Sequence, residues 1–154
     1  IMKKNSLLIA FLVLIMTACN TTKNTTNSPN SLQGEWVLTY ISGPRIAFDG
    51  LYPGQKPVIN FDIAGQKVFG KNSCNSYSGK LTIEGDKINF KDSKMAVTMM
   101  ACQGNGDRVY MDMLEKIDSY SITEEGKVLT MIGNGVPLMR FEKKYRYRHF
   151  SRTR

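Results

Sequence analysis

After residue 31 the chain alternates short apolar runs with turn residues, which is the pattern of a β-rich domain. The stretch GEWVLTYIS, residues 34–42, combines aromatic and β-branched side chains and is typical of a strand. VINFDI, residues 58–63, alternates apolar and polar positions, as a strand with one buried face does. The apolar content of residues 67–71 and 94–102 predicts two further strands.

Turn signals join several of these runs into predicted hairpins. In GKLTIEGDKINFK, residues 79–91, the turn Glu84-Gly85-Asp86 separates two alternating runs. Two more turns, Glu125-Gly126 and Gly133-Asn134-Gly135, divide residues 119–143 into three runs. These hairpins predict an antiparallel arrangement.

One segment departs from the two-residue rhythm and predicts a helix over about 106–117. Its apolar residues recur at helical spacing on one stripe: Val109, Tyr110, Met113, Leu114 and Ile117. We therefore expect a mainly β fold, a small antiparallel β-barrel-like sheet of about eight strands with one α-helix. Curling removes exposed sheet edges, and the helix would cover an open end or a face.

The large apolar side chains are expected to fill this barrel. Trp36 and Tyr40 lie on one face of the first strand, as core anchors. The other predicted core aromatics are Phe61, Phe69, Phe90 and Phe141. Seven methionines of the domain are also assigned to the core, since Met commonly fills irregular space and no His or Cys pair supports a Cu(I) site. They are Met95, Met99, Met100, Met111, Met113, Met131 and Met139.

The first 31 residues differ in kind from this domain. Lys3 and Lys4 precede the apolar run 7–15, which is too short to span a membrane but suits a secretory signal. MTAC, residues 16–19, resembles the lipobox of bacterial lipoproteins, which implies that Cys19 is lipidated and becomes the new N-terminus. The alternative is a plain secretion signal with an incidental cysteine. We expect a signal peptide at 1–18 and a polar, disordered tether at 19–31.

The net charge of +8 belongs mainly to one end of the chain. Residues 20–142 carry 13 basic and 13 acidic side chains, whereas the tail 143–154 carries six basic ones and no acidic one. A neutral domain in an exported protein argues against a nucleic-acid partner. The tail is either a solvated end without a role or a second membrane contact, since basic and aromatic side chains favour an anionic surface.

Two cysteines remain in the domain, and in an exported protein we expect Cys74 and Cys102 to form a disulfide. A catalytic thiol usually needs a histidine base, and the sole histidine, His149, lies in the basic tail. No further ligands are spaced for a metal around either cysteine. We therefore expect no enzyme activity, no catalytic residues, no metal and no cofactor. The polar segment beside the bridge is the candidate binding surface, as a loop of Asn75, Ser76, Tyr77 and Ser78.

Four stretches together resemble the META domain, the HslJ-like family of bacterial envelope lipoproteins. LQGEWVL, residues 32–38, is similar to the family's opening L-x-G-x-W-x-L. Residues 60–62 and 73–79 are similar to its F-x and G-C-N-x-x-x-G core, with Ser73 where the family commonly has Gly. TMMAC, residues 98–102, resembles its T-x-M-A-C, and LMRF, residues 138–141, its last strand. The domain is thus expected at 32–142.

The resemblance implies a small β-rich fold with a helix, envelope or secreted placement, and a link to stress and antibiotic tolerance. It supplies no catalytic residues. We expect a non-catalytic, lipid-anchored envelope protein that supports envelope stress or antibiotic tolerance by binding a protein partner. The alternative is a lipocalin-like carrier of a small apolar ligand. Asn20 after Cys19 resembles the sorting signals of enterobacterial lipoproteins, and this resemblance implies the outer over the inner membrane, with the domain in the periplasm. The sequence leaves the oligomeric state open.

Overall fold

The computed structural model describes residues 28–145, which form ten strands and three helical segments. The helical segments are α1 (Pro29–Leu32), α2 (Phe48–Leu51) and α3 (Gly106–Leu114). The strands are β1 (Gly34–Ile41), β2 (Val58–Asp62), β3 (Lys67–Lys71), β4 (Ser76–Lys80), β5 (Thr82–Glu84), β6 (Lys87–Asn89), β7 (Ala96–Val97), β8 (Ser119–Thr123), β9 (Val128–Gly133) and β10 (Val136–Lys143).

All ten strands belong to one antiparallel sheet, in the order β5-β6-β8-β9-β10-β1-β2-β3-β4-β7. Only Leu81 separates β4 from β5, although the two strands lie near opposite ends of this order. The sheet must therefore curl until its two ends approach each other. The predicted mainly β, barrel-like antiparallel fold is confirmed, with ten strands instead of about eight.

Helix α3 covers the end of the curled sheet where β1 ends. It begins at Gly106, as predicted, and buries Tyr110, Met113 and Leu114. It ends at Leu114, three residues before the predicted end at Ile117. The reason is a tighter turn, in which the Ile117 N–H donates to the Leu114 carbonyl and the chain turns toward β8.

The interior is filled, and most of the predicted aromatic core is correct. Trp36, Phe61, Phe90 and Phe141 are all buried. Phe69 was wrongly assigned to the core, because it is 46% exposed on the outer face of β3 while its neighbour Val68 points inward. Side chains alternate along a strand, so only one of two adjacent apolar residues can enter the core.

Tyr40 was also wrongly assigned to the core, and a β-bulge explains why. The pairing of β1 with β10 shifts between Leu38, opposite Phe141, and Tyr40, opposite Arg140. This bulge inserts Thr39 as an extra residue and reverses the alternation, so that Tyr40 becomes 51% exposed.

The seven methionines assigned to the core fall into three groups, and the assignment was wrong for Met99 and Met100. Met95 and Met111 are partly buried against the core. Met113, Met131 and Met139 are buried, as predicted. Met99 and Met100 are exposed, and the strand predicted over 94–102 shrinks to β7. The pairing with β4 stops here because Met100 pairs with a side chain instead of a strand, as described below.

Both ends of the described chain lie at the same end of the sheet, opposite α3. The Trp36 indole donates a hydrogen bond to Leu32 O at 2.7 Å, and Lys143 Nζ donates one to Ser31 O at 3.1 Å. Residues 29–31, predicted as part of the tether, therefore belong to helix α1. The predicted signal peptide, Cys19 and residues 146–154 lie outside the described residues. Between residues 28 and 145 there is no helix of the length and apolarity needed to cross a bilayer.

Candidate functional site

A disulfide between Cys74 and Cys102 joins the loop before β4 to the segment after β7, with the two Cα atoms 5.8 Å apart. This distance is the usual one for a disulfide. We call residues 98–102 the methionine strap, since they carry Met99 and Met100 up to the bridge. The strap lies toward the end of the sheet that α3 covers, because β7 runs in that direction beside β4.

Asn75 holds the strap as a strand would. Its side chain is buried, and its Oδ1 accepts hydrogen bonds from Thr98 Oγ1 at 2.9 Å and from Met100 N at 2.8 Å. Its Nδ2 donates to Met100 O at 3.2 Å. The amide group therefore satisfies both backbone groups of Met100, as a neighbouring strand does in a sheet.

The structure separates the four residues predicted as one polar loop. Residues 76–78 belong to β4, and only Asn75 precedes the strand. Asn75 and Tyr77 are buried, whereas Ser76 and Ser78 face solvent. The prediction of one continuous polar loop is wrong, because successive side chains of a strand point to opposite faces. A binding role for Ser76 and Ser78 stays a prediction.

Tyr77 seals the inner side of this region together with α3. Its hydroxyl donates to Val58 O at 3.1 Å, so Tyr110 is the donor in the 2.7 Å hydrogen bond between the two tyrosine hydroxyls. Burial raises the pKa of both hydroxyls well above the usual value, and the hydrogen bond from Tyr110 partly offsets the rise for Tyr77. Both side chains therefore stay neutral, as a structural pair.

The outer face of the same strands forms a groove of about 670 Å³, which we call the outer groove. Strand register places Glu35, Asn60, Phe69, Ser78 and Ala96 in one row across β1, β2, β3, β4 and β7. The other lining residues are Gln55, Val58, Gly70, Lys71, Ser76, Tyr77, Val97, Thr98 and Lys144. The groove thus surrounds an exposed aromatic ring with hydroxyl and amide groups.

Charge in the outer groove is largely neutralised at one side. Lys144 Nζ lies 2.7 Å from Glu35 Oε1, and the Lys144 N–H donates to Glu35 O. Lys71 contributes a further cation to the lining. Within residues 28–145, no three His, Cys, Asp or Glu side chains lie together in a way that could hold a metal ion. The groups present in the groove suit recognition by apolar contact and hydrogen bonding.

Sequence reasoning missed Phe69, Lys71 and Gly70 as residues of this site. The alternation in KVFGK could have placed Phe69 and Lys71 on one face, opposite Val68. Gly70 carries no such signal. A Cβ at this position would overlap Val58 O and lie 2.9 Å from the Tyr77 hydroxyl, so only glycine lets the tyrosine cross β3.

Comparison with known proteins agrees with this architecture. The sequence profile of the META domain matches residues 30–145. A protein from Burkholderia xenovorans, solved by NMR, is 21% identical with a TM-score of 0.60, over 76% of this chain and 86% of its own. A second NMR structure is 19% identical with a TM-score of 0.54, over 77% of this chain and 96% of its own.

A crystal structure of a DUF4847 family protein from Bacteroides vulgatus is 13% identical with a TM-score of 0.50, over 75% of this chain and 95% of its own. At these identities the three structures show a shared fold alone. No curated protein matches the chain significantly. The profile match covers the whole curled sheet together with α2, α3 and α1 from Asn30 onward, and the chain therefore belongs to the META domain family.

Proposed function

We propose that this protein is a non-catalytic lipoprotein of the bacterial envelope, anchored through Cys19, which supports the envelope under stress or antibiotic exposure by binding a protein partner in the outer groove. The observation that carries the proposal is the position of the groove. It lies on an antiparallel sheet, between the end where residues 28–32 meet Lys143 and the end that carries the disulfide.

Residues 28 and 145 lie at the same end of the domain, and this position gives the anchored protein an orientation. A lipid on Cys19 would lie only nine residues before Ser28, at the end where Lys143 contacts Ser31. That end faces the membrane, and the end with α3 and the methionine strap faces away from it. The outer groove lies on the side of the domain, where a protein in the same compartment can reach it.

The chemistry of the groove favours a protein segment over a strongly charged ligand. Phe69, Val58 and Val97 offer apolar contact, while the exposed Ser76 and Ser78 offer hydroxyl groups. Recognition sites for peptides combine apolar pockets with a few such polar groups. The carrier alternative is less well supported, because the curled sheet is filled by Trp36, Phe141 and the other buried residues.

The anchor is tested by labelling cells with a palmitate analogue. Wild-type protein should incorporate the label and fractionate with the outer membrane, and Cys19→Ala should do neither. Equal labelling of both proteins would rule out the lipid anchor.

The partner is tested by site-specific photocrosslinking in cells. A photoreactive residue at Phe69, in the groove, should give a discrete crosslinked protein. The matched control is Arg140, exposed on β10 outside the groove. Identical crosslinks at both positions would reject the groove as the binding site.

The stress role is tested with a deletion strain. This strain should lose stress or antibiotic tolerance. The wild-type gene should restore the tolerance, and the charge-reversing variant Lys71→Glu should not.

A further inference from the structure

The thioethers of the methionine strap lie in water, unlike those of the core. Met99 is 97% exposed and Met100 is 61% exposed. Met113, Met131 and Met139 are buried, and Met95 and Met111 are partly buried. An apolar side chain gains free energy by leaving water, so this degree of exposure calls for a physical reason.

The strap is positioned through its backbone, and the thioethers take no part in holding it. Asn75 bonds the N–H and the carbonyl of Met100, and the Thr98 N–H donates to Ser76 O. The disulfide fixes the end of the strap at Cys102. In an extended segment whose backbone is paired like a strand, successive side chains point to different sides. The two thioethers therefore make separate contacts with solvent and do not form one flat apolar face for a partner.

We propose that Met99 and Met100 form a reversible oxidation site that reacts with hypochlorous acid or peroxides in the envelope. In the reaction the thioether sulfur loses two electrons and gains one oxygen atom as the sulfoxide. Hypochlorous acid is reduced to chloride and releases one proton, whereas hydrogen peroxide is reduced to water. A methionine sulfoxide reductase restores the thioether, since two of its thiols become a disulfide and the oxygen leaves as water.

The two thioethers are accessible to oxidants, and their oxidation leaves the fold intact. Cys74 and Cys102 are the two cysteines of residues 28–145 and are joined, so thioethers are the reducing sulfur groups of this part of the chain. A sulfoxide on Met99 or Met100 stays in water and breaks none of the bonds to Asn75. A sulfoxide on Met131 or Met139 would be buried in the apolar core without a hydrogen-bond partner.

The test uses the full chain and about one equivalent of hypochlorous acid per protein, followed by peptide mass spectrometry that assigns each added oxygen. We expect oxidation at Met99 and Met100 to exceed that at Met113, Met131 and Met139 by about tenfold or more, since oxidation follows exposure. When the protein is unfolded in urea with its disulfide reduced, all five methionines should oxidise to similar extents. Recombinant methionine sulfoxide reductases should then restore the native mass of the folded protein.

A double variant, Met99→Leu with Met100→Leu, should lose most of the oxygen uptake within residues 28–145 and keep the circular dichroism spectrum. Met111→Leu, on α3, is the matched control and should keep the uptake. Equal oxidation of exposed and buried methionines in the folded protein would overturn the proposal. Unfolding caused by oxidation at Met99 and Met100, or failure of the reductases to remove those oxygens, would also overturn it.

Discussion

Two residues beside the site adopt geometries that depend strongly on the side chain present. Gly70 lets the Tyr77 side chain cross β3, and Ser73 adopts a φ of +92°, in the region that favours glycine. Ser73 is also the position where META sequences commonly have Gly. The positive φ explains why glycine suits this position: glycine adopts the angle without strain, whereas the serine adopts it at a cost.

Replacing Ser73 with glycine should stabilise the protein by about 1 kcal/mol, because it removes the strain of a non-glycine residue at positive φ. The free energy of unfolding in urea measures this. Ser78→Gly is the matched control, since it places a glycine inside β4 and should destabilise by about 0.5–1 kcal/mol. A loss of stability in Ser73→Gly would contradict the assigned backbone angle.

Adding one methyl group at Gly70 should have the opposite effect. Gly70→Ala should lower the free energy of unfolding by about 1–3 kcal/mol, because the Cβ would meet Val58 O on the neighbouring strand. Gly54→Ala is the control: a Cβ there has no neighbour within 4 Å, so the change should be near zero. Equal urea midpoints for both variants would show that the backbone at Val58 does not approach Gly70 as closely as described.

The buried tyrosine pair predicts a loss of stability in alkali. Burial raises the folded pKa of Tyr77 and Tyr110 above the ordinary value of 10.0, so their stabilising effect is complete below pH 10. It is lost as the pH rises further, because the unfolded chain then releases protons that the folded protein retains. Lys143, whose pKa burial lowers, acts in the opposite direction but is only partly buried.

This prediction is measured by circular dichroism and tyrosinate absorbance on the same samples. Above pH 10 the unfolding transition should coincide with a cooperative rise in tyrosinate absorbance. Ionisation of all tyrosines without loss of the dichroism signal would contradict the burial of this pair.

At the scale of elements, side-chain contacts decide where the strands end. The bulge at Thr39 redirects the end of β1, and the Asn75 amide replaces a neighbouring strand beside Met100. β7 is short because the strap pairs with this single amide beyond Val97. The disulfide and Asn75 thus act together on one segment that has little regular structure of its own.

Asn75→Ala should destabilise the protein by about 1–3 kcal/mol, because the partly buried N–H of Met100 and hydroxyl of Thr98 lose the Asn75 side chain as a partner. Hydrogen exchange at the Met100 amide should accelerate more than exchange in β9. Asn60→Ala, on the outer face of β2, is the control and should change stability by less than about 0.5 kcal/mol. Unchanged exchange at Met100 would show that Asn75 does not hold the strap.

At the scale of the whole molecule, the basic tail begins later in the chain than the sequence predicted. Lys143 belongs to β10 and its Nζ lies 4.9 Å from the centre of the Trp36 ring, while Lys144 pairs with Glu35. These two cations therefore belong to the domain. The segment available for a membrane contact is 146–154, which carries Arg146, Arg148, Arg152 and Arg154.

We predict that unlipidated protein binds anionic liposomes through this segment, at the end that also carries the proposed anchor. Each arginine near an anionic surface contributes about 1 kcal/mol, so deletion of residues 146–154 should weaken binding strongly at low salt. Binding of the longer protein should also fall with added salt. Neutral liposomes are the control. Equal binding with and without the segment would show that it makes no membrane contact.

The sequence alone predicted what depends on local pattern. The alternation of residues 58–63 correctly predicted that Ile59 and Phe61 are buried. The turn at Gly85 predicted the hairpin of β5 and β6, and the helical spacing of apolar residues predicted the start of α3 at Gly106. Each of these follows from backbone periodicity or from a turn that one or two residues specify. The candidate site could be predicted only in part, as the cysteine pair and the exposed serines of β4.

Only the tertiary structure decided the features that depend on residues far apart in the chain. A bulge set by pairing with β10 exposes Tyr40, and the Asn75 amide 25 residues away ends the pairing before Met100. Phe69 reaches the outer groove and not the core because register across five strands determines which face lines the groove. Local sequence pattern specifies strands and turns, but the packing of distant strands determines which side of each strand is buried.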